Sequence, residues 1–329
     1  MTRVLVTELE YAKAEQIFST SAGECGLECL PAPREEQRLA EAVRSQGAVH
    51  VVVGVDPFAG SLYEALPAGG VIARFGVGHD GIDKERATAH GLLCTNTPGT
   101  LDNSVAEHAI ALLLAAARSL PDQVSEVRAG TWMPKVGVEL RGKVLAIIGC
   151  GAIGQQVGHI ARAGFGMRVV GCERDQESIR NLPAETPFEE VTTEFAKAVA
   201  NADFVSLHIP SNSVTRHFMD AARLALLPKK AWLVNTARGA VVDEAALFDA
   251  LRLGLVAGAA LDVFEAEPYA PVDPDRDLRT LGNAIMTPHI GSGTAEACER
   301  MARSALRNIL HAERAQFSSM DLLNPQVLA

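Results

Sequence analysis

The sequence has no long apolar run, no excess of basic residues and no pattern of paired cysteines. No apolar segment approaches the ~20 residues that cross a bilayer. Met1, Thr2 and Arg3 lead directly into a strand-like stretch, without the apolar region and cleavage site of a signal peptide. The net charge of −10 argues against a nucleic-acid surface, which needs clustered Lys and Arg. We therefore expect a protein that binds neither membranes nor nucleic acid.

The six cysteines in 329 residues do not resemble a disulfide framework. Cys25 and Cys29 are four positions apart, but they have neither a partner pair nor histidines nearby. Cys94, Cys150 and Cys172 lie in or beside apolar runs, where buried thiols are common. The pattern predicts no metal site and a reduced, cytoplasmic protein.

The length exceeds what one hydrophobic core usually supports, so we expect two domains. Short apolar runs alternate with helix-like stretches, which predicts α/β architecture with parallel sheets covered by helices. In the first hundred residues, strands are expected at 4–6, 49–53, 71–75 and 92–94, and helices at 12–18 and 35–46. A turn-rich stretch at 95–102 marks the first domain boundary.

A long apolar helix is expected after this boundary, capped by Asn103 or Ser104 and reaching about Leu120. It would span two domains or pair with another subunit. Further strands are expected at 144–148, 167–172, 204–207, 232–235, 256–261 and 284–286. The last helix is expected at 294–313, followed by a tail with little pattern at 318–329. If that helix crosses back, both ends of the chain build the first domain.

A glycine-rich turn stands between two apolar runs near the middle of the chain. Residues 144–148 read as a strand buried on both faces, and Gly149-Cys150-Gly151-Ala152-Ile153-Gly154 follows. Gly149 would permit the tight turn, Gly151 the approach of a pyrophosphate, and Gly154 close packing of helix on strand. Glu173, about 20 residues further on, is placed to bind an adenosine ribose. The complete strand, turn, helix, strand and acid favour a dinucleotide site over a glycine turn without a ligand.

Arg238, Asp262, Glu267 and His289 follow the carboxyl ends of later strands. Since the carboxyl ends of parallel strands border one crevice, we expect these side chains to share a site. An Arg can hold a carboxylate and polarise a carbonyl, and a His near neutrality serves as a general acid or base. An acidic side chain would fix the imidazole tautomer, but spacing does not choose between Glu265 and Glu267. Each residue alone is more typical of an ion pair or a structural role.

Over nearly its whole length the sequence resembles the D-2-hydroxyacid dehydrogenase family. The motifs that carry the resemblance occur in the family's order and are far more specific together than the glycine turn alone. They are FGVGHDGID (75–83), SVAEHAI (104–110), GKVLAIIGCGAIG (142–154), LHIP (207–210), VNTARGAVVDE (234–244), ALDVFEAEP (260–268) and TPHIG (287–291).

The resemblance implies two doubly wound domains and assigns the reacting residues. Residues 1–101 and 291–329 would form a flavodoxin-like substrate-binding domain, and 102–290 a Rossmann NAD-binding domain. Arg238 would bind the substrate carboxylate and His289 would be the acid/base, with Glu267 rather than Glu265 orienting it. The backbone at Val77 and Gly78 resembles the family's nest for the substrate carboxylate.

The same resemblance implies the cofactor contacts and the assembly. The residues expected to bind the cofactor are Ser104, Gly149, Gly151, Ala152, Ile153, Gly154, Glu173, Arg174, His208, Thr236 and Asp262. Asp262 would hold the nicotinamide carboxamide. The family also implies a homodimer built partly on the helix that starts near Ser104.

Two departures from the family pattern bear on specificity. His79 precedes Asp80 in the substrate loop; it would face the substrate or be an exposed turn residue, and with Arg74 it could serve a phosphate or an extra hydroxyl. Glu173 stands where the family usually has Asp. A carboxylate there repels a 2′-phosphate, so we expect NAD, although Arg174 could reach such a phosphate and NADP stays open.

These features predict an NAD(P)-dependent oxidoreductase that acts on small 2-oxo acids or D-2-hydroxy acids. The alternative is an NAD(H)-binding regulatory protein, similar to dehydrogenase-like corepressors, which retain the same residues. Formate and phosphonate oxidation are less favoured, because formate enzymes have Gln in place of Glu267 and phosphonate enzymes have Lys in place of Val77. By the same resemblance, we expect no C-terminal regulatory extension of the kind found in longer phosphoglycerate dehydrogenases.

Overall fold

The computed structural model describes residues 1–329, apart from the side chain of Ser21, and its chain separates into two compact units. The first unit is Met1–Leu101 with Ser292–Ala329, and the second is Asp102–Gly291. The paired strands in both units are parallel. The predicted α/β class with two parallel sheets is confirmed.

The first unit is built on a five-stranded sheet. Its strands are β1 (Thr2–Thr7), β2 (Leu27–Ala32), β3 (His50–Val53), β4 (Val71–Arg74) and β5 (Leu93–Thr95). Their order is β2-β1-β3-β4-β5, the arrangement of flavodoxin-like folds. Every residue of β3 and β4 is buried, as expected of strands in a parallel sheet that helices cover on both faces.

The helices of this part are α1 (Glu8–Lys13), α2 (Ala22–Glu24), α3 (Glu36–Gln46), α4 (Ser61–Ala65) and α5 (Lys84–Ala89), with a π-helical turn at Ile17–Ser21. The continuous helix expected over 12–18 is wrong. Helix α1 starts directly after β1, where the buried Glu10 accepts a hydrogen bond from Thr7. It ends at Ala14, whose φ of −143° is not helical.

Strand β2 was not predicted from the sequence. It lies at the edge of the sheet and pairs only with β1. It contains Pro31, which lacks an N–H group and is tolerated in a sheet only where no partner needs that donor. A search for continuous apolar runs missed this strand, because it contains a proline and because the burial of its residues alternates.

The second unit opens with two helices, α6 (Asp102–Ala117) and α7 (Leu120–Arg128). Helix α6 corresponds to the predicted long apolar helix. It begins at Asp102, one or two residues before the expected cap, and ends at Ala117 rather than at about Leu120. Ser119 has a left-handed φ of 47° and separates the two helices. Pro121 lies in the first turn of α7, where a missing N–H costs nothing, and it disfavours helical conformation just before it. Helix α6 packs on the second sheet through Ala109, Leu113 and Ala116.

Seven strands form the sheet of the second unit: β6 (Val144–Ile148), β7 (Arg168–Cys172), β8 (Glu190–Thr192), β9 (Phe204–Leu207), β10 (Trp232–Asn235), β11 (Gly258–Leu261) and β12 (Ala284–Met286). Between them lie α8 (Ala152–Phe165), α9 (Gln176–Arg180), α10 (Phe195–Val199), α11 (Ala221–Leu224) and α12 (Glu244–Arg252). Strands β6, β9, β10 and β12 have the predicted bounds, β7 and β11 begin slightly later, and β8 was not predicted.

The strand order of this sheet is β12-β11-β10-β9-β6-β7-β8, which contains the Rossmann arrangement. The chain runs outward from β6 to β8 and then outward from β9 to β12. The direction reverses between β6 and β9, and ligands of open parallel sheets bind outside the carboxyl ends of the strands at such a point. The strand order therefore locates the candidate site.

The chain returns to the first unit through α13 (Ala295–Glu313), close to the predicted bounds of 294–313, and Thr294 caps this helix. The tail that seemed without pattern is ordered along β5. The buried Asn324 accepts a hydrogen bond from Cys94 N–H at 2.8 Å and donates to Leu92 O at 2.9 Å. Among the residues that the structure describes, no helix has the length and apolarity to cross a membrane.

Candidate active site

Two glycines of the turn after β6 are required by the protein's own packing. Gly149 has a φ of 95°, and a Cβ built on it would lie 2.5 Å from His208 O. A Cβ on Gly154, in the first turns of α8, would lie 2.1 Å from Gly149 O. Neither position has room for a side chain, so helix and strand approach as closely as the motif predicts.

Gly151 is different, because packing within the protein does not require a glycine at this position. Its φ is −69°, and a Cβ on it would meet no atom of the described residues within 4 Å. It caps the start of α8, directly before Ala152 and Ile153. A glycine that faces open space at a helix N-terminus fits the predicted approach of a pyrophosphate to the backbone.

Glu173 connects the end of β7 with the glycine turn. Its Oε1 accepts a hydrogen bond from Cys150 N–H at 2.7 Å, and its Oε2 accepts one from Arg174 N–H at 3.1 Å. The Arg174 side chain is 84 % exposed, and its Nε lies 3.0 Å from Asp175 Oδ2 and donates to Ser178 Oγ at 3.2 Å. The carboxylate thus faces the glycine turn, and the guanidinium is held against the start of α9.

Three more predicted cofactor residues lie in the second unit. Ser104 is buried in the first turn of α6. His208 follows β9, with Nε2 2.8 Å from Ser206 Oγ, and desolvation lowers the pKa of His208 to about 4, so its imidazole is neutral. Thr236 follows β10, and its buried hydroxyl has no hydrogen-bond partner among the described residues. A buried hydroxyl without a partner is costly, so this position fits contact with a bound cofactor.

A side chain at the end of β10 fixes the turn that carries Arg238. The buried Asn235 accepts a hydrogen bond from Ala237 N–H through Oδ1 and donates to Arg238 O through Nδ2, both at 3.0 Å. A Cβ on Gly239 would lie 1.8 Å from Phe264 C. The Arg238 turn therefore packs directly on the backbone at Phe264, which follows β11 and precedes Glu267 by three positions.

His289 and Glu267 form a hydrogen-bonded pair. Glu267 Oε2 lies 2.6 Å from His289 Nδ1, and Glu267 Oε1 accepts a hydrogen bond from Phe264 N–H at 3.0 Å. The contact at Nδ1 leaves Nε2 as the ring nitrogen available to a ligand. Both side chains are partly exposed. An imidazole held in this way can exchange a proton with a bound molecule.

Glu265 is directed elsewhere. Its Oε2 lies 3.1 Å from Arg216 Nη2 and 3.0 Å from His217 Nε2. Of the two carboxylates that spacing could not separate, the structure pairs Glu267 with His289.

Asp262 organises the loop that carries His289. Its Oδ1 accepts hydrogen bonds from the Thr287 hydroxyl at 2.5 Å and Ile290 N–H at 2.9 Å, and its Oδ2 accepts one from Gly291 N–H at 2.8 Å. His108 Nε2 lies 3.2 Å from Oδ1. Burial acts to raise the pKa of Asp262, but the hydrogen bonds outweigh it and the pKa lies below its usual range. These contacts are with the protein itself, and the expected contact with a nicotinamide stays a prediction.

The predicted substrate loop follows β4 in the first unit. The N–H groups of Val77 and Gly78 have no acceptor among the described residues, and Asn96 Nδ2 donates to Val77 O at 2.8 Å. Lys84 Nζ donates to Ile82 O at 3.1 Å and lies 3.3 Å from His79 Nδ1. Two adjacent unpaired N–H groups on an anchored loop suit an anion.

The sequence did not predict the roles of His108 and Asn235, whose side chains contact the loops that carry the candidate residues. His108 was only one residue of the motif at 104–110, with no role predicted for it, and Asn235 was only the predicted end of a strand. An Asn at the end of a strand, followed by a short turn to Arg, was the available signal for a turn fixed by a side chain. For His108 there was no signal, because its partners lie far away in the sequence. In the described residues, no group of three or more His, Cys, Asp or Glu is arranged to hold a metal ion.

Comparison with known proteins places these features in a family context. A family model described as D-isomer specific 2-hydroxyacid dehydrogenase, NAD binding domain, matches residues 110–291. A glyoxylate reductase from Korarchaeum cryptofilum is 37% identical over 303 residues, which cover 90% of this chain and 88% of that protein.

Solved structures resemble the whole chain. A protein from Thermus thermophilus superposes with a TM-score of 0.81 at 34% identity, over 98% of this chain and 100% of that chain. An NADPH-dependent glyoxylate/hydroxypyruvate reductase from Sinorhizobium meliloti, solved with NADP and malonate, gives a TM-score of 0.79 at 29% identity, over 97% and 94% of the two chains.

Proposed function

Because the chain belongs to the D-isomer specific 2-hydroxyacid dehydrogenase family, and is therefore an NAD(P)-dependent oxidoreductase of 2-oxo and D-2-hydroxy acids, we propose that it reduces a small 2-oxo acid of the glyoxylate type. The single observation that best supports this proposal is the 2.6 Å contact between His289 and Glu267. Two of the three proteins compared above are named as reductases, and the corepressor-like alternative draws no support from the comparison.

In the proposed mechanism Arg238 binds the substrate carboxylate through its forked donors. The N–H groups of Val77 and Gly78 bind the same carboxylate. When bound, the nicotinamide cofactor supplies the hydride to substrate carbon 2 or accepts it in the reverse direction. His289 Nε2 gives a proton to the carbonyl oxygen during reduction and removes it during oxidation, while Glu267 holds Nδ1 and so fixes the tautomer.

The His289→Ala variant tests this mechanism. We expect turnover of glyoxylate to fall by about 10²–10⁴, the range for loss of a general acid or base, with NADH binding unchanged. Turnover is followed at 340 nm, and NADH binding by fluorescence titration. His159→Ala removes an exposed histidine of the same unit and should behave as the wild type. Near-normal turnover in His289→Ala would remove the proposed role.

A panel of glyoxylate, hydroxypyruvate, pyruvate and 3-phosphohydroxypyruvate identifies the substrate class. We expect at least one of the two-carbon or three-carbon acids to oxidise NADH. If NADH binds tightly and no acid of the panel oxidises it, the enzymatic proposal fails and a regulatory protein on the same fold takes its place.

We also propose that NADH is preferred over NADPH. The Glu173 carboxylate is held against the glycine turn by Cys150 N–H, where its charge would repel a 2′-phosphate. Arg174 contacts Asp175 and Ser178 and would have to leave them to bind that phosphate. The reductase from Sinorhizobium meliloti is named NADPH-dependent, so family membership does not decide between the two cofactors.

We further propose a homodimer that uses α7 and the segment after it. No residue of α7 is buried, and Leu120, Val124 and Val127 lie on one face of the helix. The following segment exposes Trp132 by 83 % and Val136 by 99 %. Clustered apolar side chains in water are typical of a protein interface.

A further inference from the structure

A third acidic side chain lies close behind the His289–Glu267 pair. Glu244 is the first residue of α12 and is only 4 % exposed. Its Oε1 accepts a hydrogen bond from Glu265 N–H at 2.5 Å. Its Oε2 is buried without a hydrogen-bond partner among the described residues. A carboxyl group in such a position is rare unless it serves the groups around it.

The contact made by Glu244 fixes the backbone that carries Glu267. We call residues 264–267 the acidic segment. Phe264 N–H donates to Glu267 Oε1, and Glu265 N–H donates to Glu244 Oε1, so consecutive N–H groups of the segment are held by carboxyl oxygens. Glu265 Oε2 contacts Arg216 and His217, while its Oε1 accepts a hydrogen bond from Glu244 N–H at 3.5 Å. The position of Glu267 under His289 therefore depends on Glu244.

The charge of Glu244 changes near neutral pH. Burial raises the pKa of this carboxyl to about 7; the charges of Glu265 and Glu267 act in the same direction, while Glu265 N–H and His217 act against it. The phenol of Tyr269 also faces the carboxyl. Glu265, Glu267, His217 and Tyr269 are thus the titratable groups around Glu244, and Arg216 lies beyond Glu265.

We propose that Glu244 is a positioning residue that holds the acidic segment and whose charge sets the pH range over which the His289–Glu267 pair transfers protons. The proposal rests on the proposed role of that pair. It assigns Glu244 no contact with substrate or cofactor. It does assign a function to a buried carboxyl that the reaction itself does not use.

The direction of the pH effect follows from charge. Reduction needs a protonated imidazole at His289 and oxidation needs a neutral one. An ionised Glu244 adds negative charge behind the pair and favours the protonated imidazole, so it extends reduction to higher pH. Below about pH 6 Glu244 is protonated, and its charge has no effect there.

The test compares Glu244→Gln, which keeps an oxygen acceptor for Glu265 N–H but cannot ionise, with Glu244→Ala, which loses both. For Glu244→Gln we expect wild-type kcat below pH 6 and an alkaline limb of reduction that moves down by roughly 0.5 pH unit. At pH 7.5 the variant should lose rate in reduction and gain rate in oxidation. A merely structural defect would lower both. For Glu244→Ala we expect kcat to fall by about tenfold or more, with the NADH Kd unchanged.

Glu296→Gln makes the same chemical change in the first turn of α13, where the residue is exposed, and should leave the profile unaltered. If Glu244→Ala does not fold, the isosteric Glu244→Gln profile carries the test alone. A Glu244→Gln profile that superposes on the wild type in both directions overturns the proposal. His289→Ala is measured in parallel. If this variant retains turnover, the proposed function itself fails. If it loses turnover while the Glu244→Gln profile is unchanged, only the proposed role of Glu244 is refuted.

Discussion

At the scale of single residues, Glu173 combines two tasks, because the carboxylate that faces the predicted ribose position also accepts a hydrogen bond from the glycine turn. Glu173→Gln keeps an acceptor for Cys150 N–H and removes the charge. We expect the ratio of kcat/KM for NADH over NADPH to fall by about 10–100-fold, since repulsion of the 2′-phosphate is lost. The ratio is measured with glyoxylate as substrate at fixed ionic strength.

Arg174→Ala completes this comparison, because it removes the cation that directly follows Glu173 in the sequence. It should lower use of NADPH further and leave use of NADH unchanged. A wild type that prefers NADPH, or a Glu173→Gln variant with an unaltered ratio, would contradict the proposed cofactor preference.

Residue types and spacing predicted Arg238, Glu267 and His289 as candidates, but not how their neighbours hold them. Spacing could not separate Glu265 from Glu267, because the partners that turn Glu265 away are about fifty positions distant in the sequence. Glu244 was only the last residue of the motif at 234–244, and the sequence predicted no role for it. Its burial comes from the chain packed above it, and no local pattern records that.

At the scale of elements, the turn between β6 and α8 separates two glycines that packing requires from one that faces open space. For Gly151→Ala we expect the NADH Kd to rise at least about tenfold, because the new methyl group stands where the pyrophosphate approaches. The free energy of unfolding should change by no more than about 1 kcal/mol. For Gly154→Ala we expect a loss of about 1–3 kcal/mol or more, because the methyl group collides with Gly149 O. Fluorescence titration and urea denaturation provide the two measurements.

Gly164 is the matched control within the same helix, since a Cβ there meets no described atom within 4 Å. Gly164→Ala should stabilise the protein by about 0.5–1 kcal/mol through helix propensity and leave NADH binding unaltered. Unchanged NADH binding in Gly151→Ala would show that the cofactor does not approach this position.

Elements that are buried on both faces were the easiest to predict, because a continuous apolar run marks them. Strands β6, β9 and β10 have the expected bounds for this reason. Strand β12 also has the expected bounds, but it is an edge strand of intermediate burial that its apolar residues alone marked. Strand β2 was missed because it is an edge strand whose burial alternates and which contains Pro31. The break between α6 and α7 depends on the backbone conformation of Ser119, directly before Leu120 and Pro121. It was not predicted, because the apolar pattern continues across this position.

At the scale of the whole molecule, the strand order collects the candidate site. Arg238, Asp262 and His289 follow β10, β11 and β12, which are neighbours in the second sheet. Alternation of strands and helices predicted the parallel sheets and the shared carboxyl edge. It did not predict the tail, where Asn324 pairs with the backbone of residues more than 200 positions away, because such long-range pairing has no local signature.

The proposed homodimer is tested by its exposed apolar face. Val124 and Val127 project from α7 into solvent in the single chain, so replacing both with Glu should not disturb the fold. It would place charges in the interface, where an unpaired buried charge is strongly unfavourable. We expect sedimentation equilibrium to give twice the mass of the chain for the wild type at micromolar concentration, and the mass of a single chain for the double variant.

Val214 is also exposed, but it belongs to the loop after β9 and not to α7 or the segment that follows α7. Val214→Glu should therefore leave the mass at twice that of the chain, and far-UV circular dichroism should be the same for all three proteins. A wild type that sediments as a single chain excludes a homodimer at that concentration. A double variant that remains dimeric would place the interface elsewhere, because a contact centred on Val124 and Val127 cannot accommodate two unpaired carboxylates from each subunit.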